Sequence, residues 1–376
     1  MAQIDMGELQ PKTFVSRRIT GDTQFMFQFY KPCIQYYEPP SPGSGGQQAT
    51  CMSETKLRRS LITALHGCPL LFGRFKIHPD LTISLDYDPE NSNPPTLQFQ
   101  RLPVTYSQIR AQNFAYSAAT QYGLDIAIPD GSITRGRVDN SKPMLMVKVT
   151  YLGDGGVAIF SMTNHVAFDG NAMFSFIAHW AKCNRLLGQV VVVELPSELD
   201  TYATSLVTNT GKPLAHGPVE ISVDATRTPA ELSVANSKAV AEGSVQACVF
   251  SLSVSNIQRL KAIVEESGVL GEGEWVSSNN VVAAFISQCV ARANTESQVY
   301  EAGSWTLFQA LDMRRALGLP LRGLGSPLIL AECQATSREI SDTKSFFPVL
   351  ARRVRQSLDK YSGEYLQAAM DWMNQS

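Results

Sequence analysis

Apolar residues recur every three or four positions in some stretches of this chain and alternate with polar residues in others. Over residues 53–65 the spacing is helical, and a serine able to cap a helix stands in front. The pattern predicts an amphipathic helix with Ser53 as its N-cap. The predicted inner face carries Leu57, Leu61, Ile62 and Leu65.

Strand-like patterns lie on both sides of that helix. After a turn marked by proline and glycine, residues 74–77 and 82–87 are predicted to pair as a hairpin. Before the helix, residues 25–37 are rich in aromatic side chains and predict a strand that ends or bulges at Pro32. The Pro-, Gly- and Ser-rich residues 38–48 predict a loop.

The clearest pattern lies between residues 144 and 187. Two apolar stretches, 144–152 and 157–163, flank a Gly-Asp-Gly-Gly sequence whose glycines suit the positive φ angles of a tight hairpin. A helix over residues 171–187 follows, capped by Asp169 or Asn171. Its predicted apolar stripe is Met173, Ile177, Trp180, Ala181 and Asn184. This pattern places His165 between a strand and a helix.

Strands and helices alternate again in the second half. Residues 188–244 are rich in Ser, Thr, Pro, Ala and Val with weak periodicity, and predict a crossover linker. Beyond it we predict a strand at 247–252, helices at 255–266 and from near Ser278, a strand at 305–313 and a last helix at 347–373. The first of these helices presents Ile257, Leu260 and Ile263 or Val264. The second is apolar on most sides, which predicts a buried helix, and the later strand is predicted to be central.

Length and composition indicate an ordinary globular protein of two domains. The chain has 376 residues, 44% of them hydrophobic and 18% charged, which argues against collagenous and disordered classes. With 32 basic and 34 acidic side chains and no basic run, nucleic acid is not an expected partner. No stretch approaches the roughly 18 apolar residues of a membrane span. The first twelve residues lack the pattern of a signal peptide.

Cysteine usage favours a reducing compartment. The seven cysteines are scattered singly, without a close pair that could hold zinc. We therefore expect reduced thiols, a cytoplasmic protein and no metal site.

The candidate chemistry lies in the sequence Asn-His-Val-Ala-Phe-Asp-Gly at residues 164–170. The unperturbed pKa of histidine suits His165 to general-base work on an alcohol or amine. Asp169 could hold the intervening loop or orient the imidazole directly, and Gly170 would permit a sharp exit into the helix. The spacing alone is a weak signal. The other histidines, His66, His78, His179 and His216, have no motif around them.

Several segments, in order, resemble the BAHD acyl-CoA-dependent acyltransferases of the chloramphenicol acetyltransferase superfamily. LRRSLITALHGCPLLFGRF at 57–75 resembles the family's helix and P-L-A-G-R turn, and residues 157–170 resemble its strand and H-x-x-x-D-G motif. VFSLSVSNIQRLKAIV, VSSNNVVAAFISQCVARA and FQALDMRRAL, followed by GLGS, resemble later elements, including its D-x-R and F-G-N stretches. The resemblance covers residues 57 to about 330.

The resemblance implies an α/β (α+β) fold of two chloramphenicol-acetyltransferase-like domains, each a mixed sheet flanked by helices. An active-site channel would run between them. We expect an N-terminal domain at 1–190, the linker at 191–244 and a C-terminal domain, incomplete in this sequence, at 245–376. His165 would be the base, with Asp169, Gly170 and Arg314 as structural support and Arg314 as the ion-pair partner of Asp169.

The implied function is transfer of an acyl group, expected to be acetyl, from acyl-CoA to a hydroxyl or amine of a small secondary metabolite. Acyl-CoA would act as co-substrate, with no permanently bound cofactor, and the chain is expected to be a monomer without a membrane partner.

Three departures from the family pattern keep two alternatives open. The family's aspartate-phenylalanine-glycine-tryptophan-glycine signature near the carboxyl terminus is absent, Ser326 replaces an asparagine, and Asn164 stands where condensation domains have a first histidine. One alternative is a non-catalytic or shortened relative that binds ligand without transfer. The other is a condensation-type enzyme acting on carrier-protein thioesters.

Overall fold

The computed structural model describes residues 2–3, 14–19, 30–41, 51–79, 83–126, 140, 142–165, 168–187, 250–296, 304–336, 339–340, 342 and 346–375. Its strands are β1 (Ala2–Gln3), β2 (Val15–Ile19), β3 (Tyr30–Tyr37), β4 (Arg74–Ile77), β5 (Ile83–Tyr87), β6 (Thr96–Arg101), β7 (Leu145–Tyr151), β8 (Val157–Asn164), β9 (Ser304–Asp312) and β10 (Leu328–Thr336). Its helices are α1 (Glu54–His66), α2 (Tyr106–Ala111), α3 (Tyr116–Gln121), α4 (Gly170–Leu186), α5 (Val254–Glu266), α6 (Ser278–Glu296), α7 (Phe346–Gln356) and α8 (Gly363–Gln375).

The largest sheet is mixed and has the strand order β1-β6-β7-β8-β3. Strands β6 and β7 are parallel, and the other neighbours are antiparallel. The predicted β7–β8 hairpin is confirmed, and Gly155 in its turn has a φ of 88°, a conformation that a residue with a Cβ rarely adopts. Every residue of β8 is buried, so this strand carries the chain through the interior towards His165.

The prediction that a strand ends or bulges at Pro32 was wrong. Strand β3 runs without interruption through this residue, which lies opposite Met162 of β8. Because β3 is at the edge of the sheet in the described residues, a missing N–H on its outer side leaves no neighbouring strand unpaired. Residues 25–29 of the predicted strand lie outside the described residues.

The predicted capped helix and hairpin are confirmed. Ser53 accepts a hydrogen bond from the Lys56 backbone N–H at 3.4 Å at the start of α1. Strands β4 and β5 pair antiparallel, and β2 adds a third strand to this smaller sheet. Leu57, Leu61 and Leu65 are buried, and Ile62 packs partly buried against the same cluster.

Helix α4 packs against α1, but its inner face differs from the predicted stripe. Met173 and Trp180 are buried as expected, whereas Ala181 is exposed. The remaining buried positions are Ala172, Phe176, His179 and Cys183. Between the two helices, the Trp180 Nε1–H donates to the Ser60 hydroxyl at 3.0 Å, and Asn184 Nδ2 donates to the same oxygen at 3.2 Å.

The later elements begin close to where the sequence predicts them, but their burial differs. In α5, Val264 is buried and Ile263 is 49% exposed, which decides between the two predicted positions. Helix α6 starts at Ser278. Val281 and Ala284 are buried as the predicted buried helix requires, but Ile286 and Val290 are about half exposed, so only one side of this helix is buried. Within the described residues β9 pairs only with β10, so the prediction of a central strand finds no support there.

Two further predictions of the second half need correction. The single helix over 347–373 is two helices, because Tyr361 is buried in the intervening turn, where its hydroxyl accepts from the Glu332 backbone N–H of β10 at 3.2 Å. Phe250 is 89% exposed, and no strand includes residues 250–252. Residues 247–249 and the predicted linker at 191–244 lie outside the described residues.

No helix within the described ranges is both long and apolar enough to span a membrane.

Replacing Ser60 by alanine tests the contact between α1 and α4. The change removes the acceptor of the buried Trp180 Nε1–H, so we expect a loss of about 1–3 kcal/mol in the free energy of unfolding. The matched control is Thr63→Ala one turn later, whose hydroxyl bonds only the Arg59 carbonyl of its own helix near solvent. Urea unfolding measures both, and equal losses for the two variants would contradict the assignment.

Candidate active site

His165 is the first residue after β8, and its side chain is buried, with 8% of the residue exposed. The turn that follows closes through a hydrogen bond from the Phe168 N–H to the Asn164 carbonyl at 3.0 Å. Val166 and Ala167, inside this turn, lie outside the described residues. The predicted order of strand, short turn and helix around the histidine is confirmed.

The surroundings of His165 favour its neutral form. Burial is the main cause that lowers the pKa of the imidazole below 6.5, and the nearby Lys31 charge lowers it further. A hydrogen bond with the backbone of His165 itself and the negative charge of Asp169 both raise the pKa, but each has a smaller effect than burial or Lys31. A histidine that stays unprotonated near neutral pH can accept a proton, which is the property a general base needs.

Asp169 is the N-cap of α4, which decides between the two predicted capping residues. Its Oδ1 accepts a hydrogen bond from the Ala172 backbone N–H at 2.8 Å, and the residue is 4% exposed. A carboxylate at this position also complements the positive end of the helix dipole. Asp169 thus fixes where α4 starts, and so where the turn after His165 ends.

Arg314 and Asp169 form an ion pair in the interior. Arg314 Nη1 lies 2.6 Å from Asp169 Oδ2, and Nη2 lies 3.1 Å from Oδ1, a two-bond geometry that matches the planar guanidinium. Arg314 is fully buried, and its Nη2 also donates to the carbonyls of Gly323 and Gly325. The structure therefore brings together the two residues that the resemblance paired.

Two polar side chains outside the predicted site extend this network. Asp312 Oδ2 lies 3.1 Å from Arg314 Nη1. Asn171 Nδ2 donates to Asp312 Oδ2 at 3.2 Å and to the Leu321 carbonyl at 2.7 Å. The Asp169 N–H also donates to the Gly325 carbonyl at 3.1 Å. The start of α4 is therefore held by the end of β9 and the loop that follows it.

The backbone of Gly170 gives no reason for a glycine at this position, and its supporting role in the site stays a prediction. Gly170 is the first residue of α4 and is absent from the described glycines with positive φ, so no unusual backbone angle requires glycine here. A Cβ built on Gly170 would instead lie 3.1 Å from the Lys31 ammonium nitrogen. The sequence gives no sign of this approach, because only the pairing of β3 with β8 brings residue 31 beside residue 170.

The remaining candidates lie apart from this cluster. His179 is buried with its Nε2 3.6 Å from the Cys183 sulfur, and His78 Nε2 is 2.9 Å from the Ser84 hydroxyl. His66 is exposed, and His216 lies outside the described residues. Ser326 is fully buried next to Gly325. The described residues contain no group of three or more His, Cys, Asp or Glu side chains placed to hold a metal, and their six cysteines form no disulfide.

Comparison with known proteins agrees with this geometry. The model of the family described as "Transferase family" matches residues 132–376, about two thirds of the chain. This chain belongs to that family, the BAHD acyltransferases. The match contains His165, Asp169 and Arg314 and confirms the family that the sequence segments resemble.

Curated relatives of this BAHD chain are distant in sequence. Acyltransferase AFT15-1 of Alternaria alternata is 24% identical over 253 residues, covering 60% of this chain and 48% of that protein. A hydroxycinnamoyl-CoA:piscidic acid hydroxycinnamoyltransferase of Actaea racemosa is 24% identical, covering 61% and 50%. The chain thus spans about half the length of these two. A hydroxycinnamoyl-CoA:5-hydroxyanthranilate N-hydroxycinnamoyltransferase of Avena sativa is 26% identical, covering 92% and 73%.

Solved structures show the same fold. TRI101 of F. sporotrichioides, complexed with coenzyme A and T-2, aligns with a TM-score of 0.67 at 16% identity, covering 96% of this BAHD chain and 78% of that chain. Vinorine synthase aligns with a TM-score of 0.58 at 19% identity, covering 93% and 72%. The mixed α/β fold is therefore confirmed, and the division into domains at 1–190 and 245–376 stays a prediction.

Replacing Arg314 by methionine tests the buried ion pair. The change leaves the Asp169 carboxylate buried without its partner, so we expect a loss of about 3–5 kcal/mol in the free energy of unfolding. The matched control is Arg315→Met, since Arg315 is exposed, and there we expect a change within about 0.5 kcal/mol. Chemical denaturation compares the two, and similar losses would show that the pair is not what stabilises this region.

Proposed function

We propose that this chain transfers an acyl group from acyl-CoA to a hydroxyl or amine of a small secondary metabolite, with His165 as general base. The observation that carries the proposal is a buried histidine with a lowered pKa, placed at the end of β8 beside the Asp169–Arg314 pair. The sequence motif alone could not support this role, because it gives neither burial nor the surrounding charges.

The proposed step needs no covalent enzyme intermediate. The neutral imidazole takes the proton of the acceptor O–H or N–H while the acceptor atom attacks the thioester carbonyl carbon. A tetrahedral intermediate forms, its C–S bond breaks, and the imidazolium returns the proton to the CoA thiolate. The products are an ester or amide and free CoA. Holding both substrates next to one base supplies rate through proximity.

Asp169 supports this step by fixing the turn rather than by moving a proton. Its two oxygens are engaged by the Arg314 guanidinium and the Ala172 N–H. This arrangement favours the first of the two roles considered for Asp169. Arg314 then acts as a positioning residue that holds Asp169, and through it the turn after His165.

We propose acyl-CoA as the donor because both the names of the relatives and the ligands of similar solved structures include CoA. Two relatives are named for hydroxycinnamoyl-CoA, and two TRI101 structures hold coenzyme A and ethyl coenzyme A. Acetyl is our specific prediction for the acyl group. The channel between two domains, the monomeric state and the cytoplasmic location belong to the same proposal.

Thiol titration of released CoA tests the base. Wild type is incubated with acetyl-CoA or hydroxycinnamoyl-CoA and a panel of small alcohols and amines, beside His165→Ala and the exposed control His66→Ala. We expect acceptor-dependent release with acetyl-CoA that falls about 10²- to 10⁴-fold in His165→Ala and stays near wild type in the control.

Each of the other possible results would favour an alternative function or a different acyl donor. No release from folded wild type would favour the non-catalytic relative. Transfer from carrier-protein thioesters but not from free acyl-CoA would favour the condensation-type enzyme, and faster release from hydroxycinnamoyl-CoA would overturn acetyl as the donor group.

The pH dependence of kcat/KM reports the same histidine. Because burial and Lys31 lower the pKa of His165, the neutral, active form persists at lower pH than for an ordinary histidine. We expect the acidic limb of the profile to have its midpoint below about 6.5, the ordinary histidine value. A midpoint above that value would contradict a desolvated base.

A further inference from the structure

A cavity of about 420 Å³ runs along the solvent side of α4 and reaches the loop that follows β9. Its volume lies within the range of about 300–1,000 Å³ that is typical of small-ligand sites. No described residue of the candidate active site lines this cavity. Its walls include Phe174, Ala178, His179, Lys182, Arg185 and Arg322.

The lining concentrates positive charge from two separate elements. Lys182, Arg185 and Arg322 are exposed, and within the described residues they form neither an ion pair nor a side-chain hydrogen bond. No acidic residue is among the lining residues in the described part of the chain. Lys182 and Arg185 lie one turn apart on α4, where like charges repel. The helix dipole stabilises a cation in the last turn, which accounts for Arg185 but not for Arg322.

His179 is a second, independent indication of a ligand. The residue lines the cavity and is 4% exposed, and its Nδ1 has no hydrogen-bond partner among the described residues. The other ring nitrogen, Nε2, lies 3.6 Å from the Cys183 sulfur. A buried polar atom without a partner costs stability, and in native proteins such atoms are nearly always satisfied. The described contacts leave this nitrogen to a molecule in the cavity.

The apolar part of the lining indicates what accompanies the charge. Phe174 is 56% exposed beside the cavity, next to the small side chain of Ala178. An aromatic side chain close to arginines suits a planar, apolar body, because aromatic groups stack on rings and on guanidinium planes. Phosphate is the anionic group that best matches three cations, since it carries more than one charge and its oxygens fit the guanidinium fork.

We propose that this cavity binds a phosphate monoester with a small aromatic body. The phosphate would lie between Lys182 and Arg185 of α4 and Arg322 of the loop after β9, with the aromatic body against Phe174. The site goes beyond the proposed acyl transfer and does not depend on it.

Binding at this site would strengthen the attachment of the loop to α4. Arg322 stands between Leu321, whose carbonyl accepts a hydrogen bond from Asn171, and Gly323, whose carbonyl accepts one from Arg314. A phosphate that bridges Arg322 to α4 therefore holds the backbone segment that satisfies the buried arginine. We expect the ligand to slow hydrogen exchange at the backbone amides of residues 321–325.

Calorimetric titration with 1-naphthyl phosphate tests the site, with 1-naphthol as the neutral analogue. We expect wild type to bind the phosphate ester and not the naphthol. Lys182→Met, Arg185→Met and Arg322→Met should each raise Kd by about 10- to 100-fold, because each removes a charge-assisted contact. The matched control is Arg59→Met, which removes an exposed arginine of α1 outside the cavity and should leave Kd unchanged.

Two further titrations test the aromatic contact and the separation from the acyl donor. Phe174→Ala should weaken binding of 1-naphthyl phosphate but not of inorganic pyrophosphate. Excess free CoA should leave Kd for 1-naphthyl phosphate unchanged. Competition by CoA would assign the cavity to the phosphates of the donor and overturn a separate site.

Three other results would also overturn the proposal. The first is an absence of binding to folded wild type, and the second is equal binding of 1-naphthol. The third is an equal loss of binding in Arg59→Met, which would show attraction to the overall charge of the protein. Unchanged hydrogen exchange at residues 321–325 in the bound protein would overturn the bridge through Arg322.

Discussion

The ion pair between Arg314 and Asp169 is the interaction on which the candidate site depends. Its two side chains have almost no solvent exposure, and each makes further hydrogen bonds to backbone groups. Charges removed from water are costly unless such partners satisfy them, so the surrounding chain is constrained to supply them. The carbonyls of Gly323 and Gly325 and the cap of α4 are therefore fixed by the same pair.

The sequence predicted most of the local structure near the site, because local signals determine it. Two elements were predicted correctly from local signals. The glycines at 153, 155 and 156 indicated the β7–β8 hairpin, and Ser53 with the apolar spacing behind it indicated α1. Errors arose where tertiary context decides. Pro32 is accommodated at a sheet edge, Ala181 faces outward because α4 rotates to pack on α1, and the last helix breaks where Tyr361 bonds to β10.

The site residues also separate into those that sequence segments predict and those that only the three-dimensional structure shows. The resemblance gave His165, Asp169 and Arg314, since these lie in recognisable segments. Lys31, Asn171 and Asp312 were not predicted as site members, because their proximity follows from strand pairing and a loop packed on α4. Gly170 was assigned to the site for a backbone reason that its φ angle does not support, whereas its closeness to Lys31 appears only in three dimensions.

The two residues of the buried pair are 145 positions apart in the chain. Contacts between residues so distant form late in folding, because closing a long loop costs entropy before any contact stabilises it. During synthesis on the ribosome, residue 169 is complete well before residue 314 has been added. For that interval the nascent chain carries an acidic side chain without its buried partner. The cap of α4 thus acquires its ion-pair partner only after residue 314 has been added to the chain.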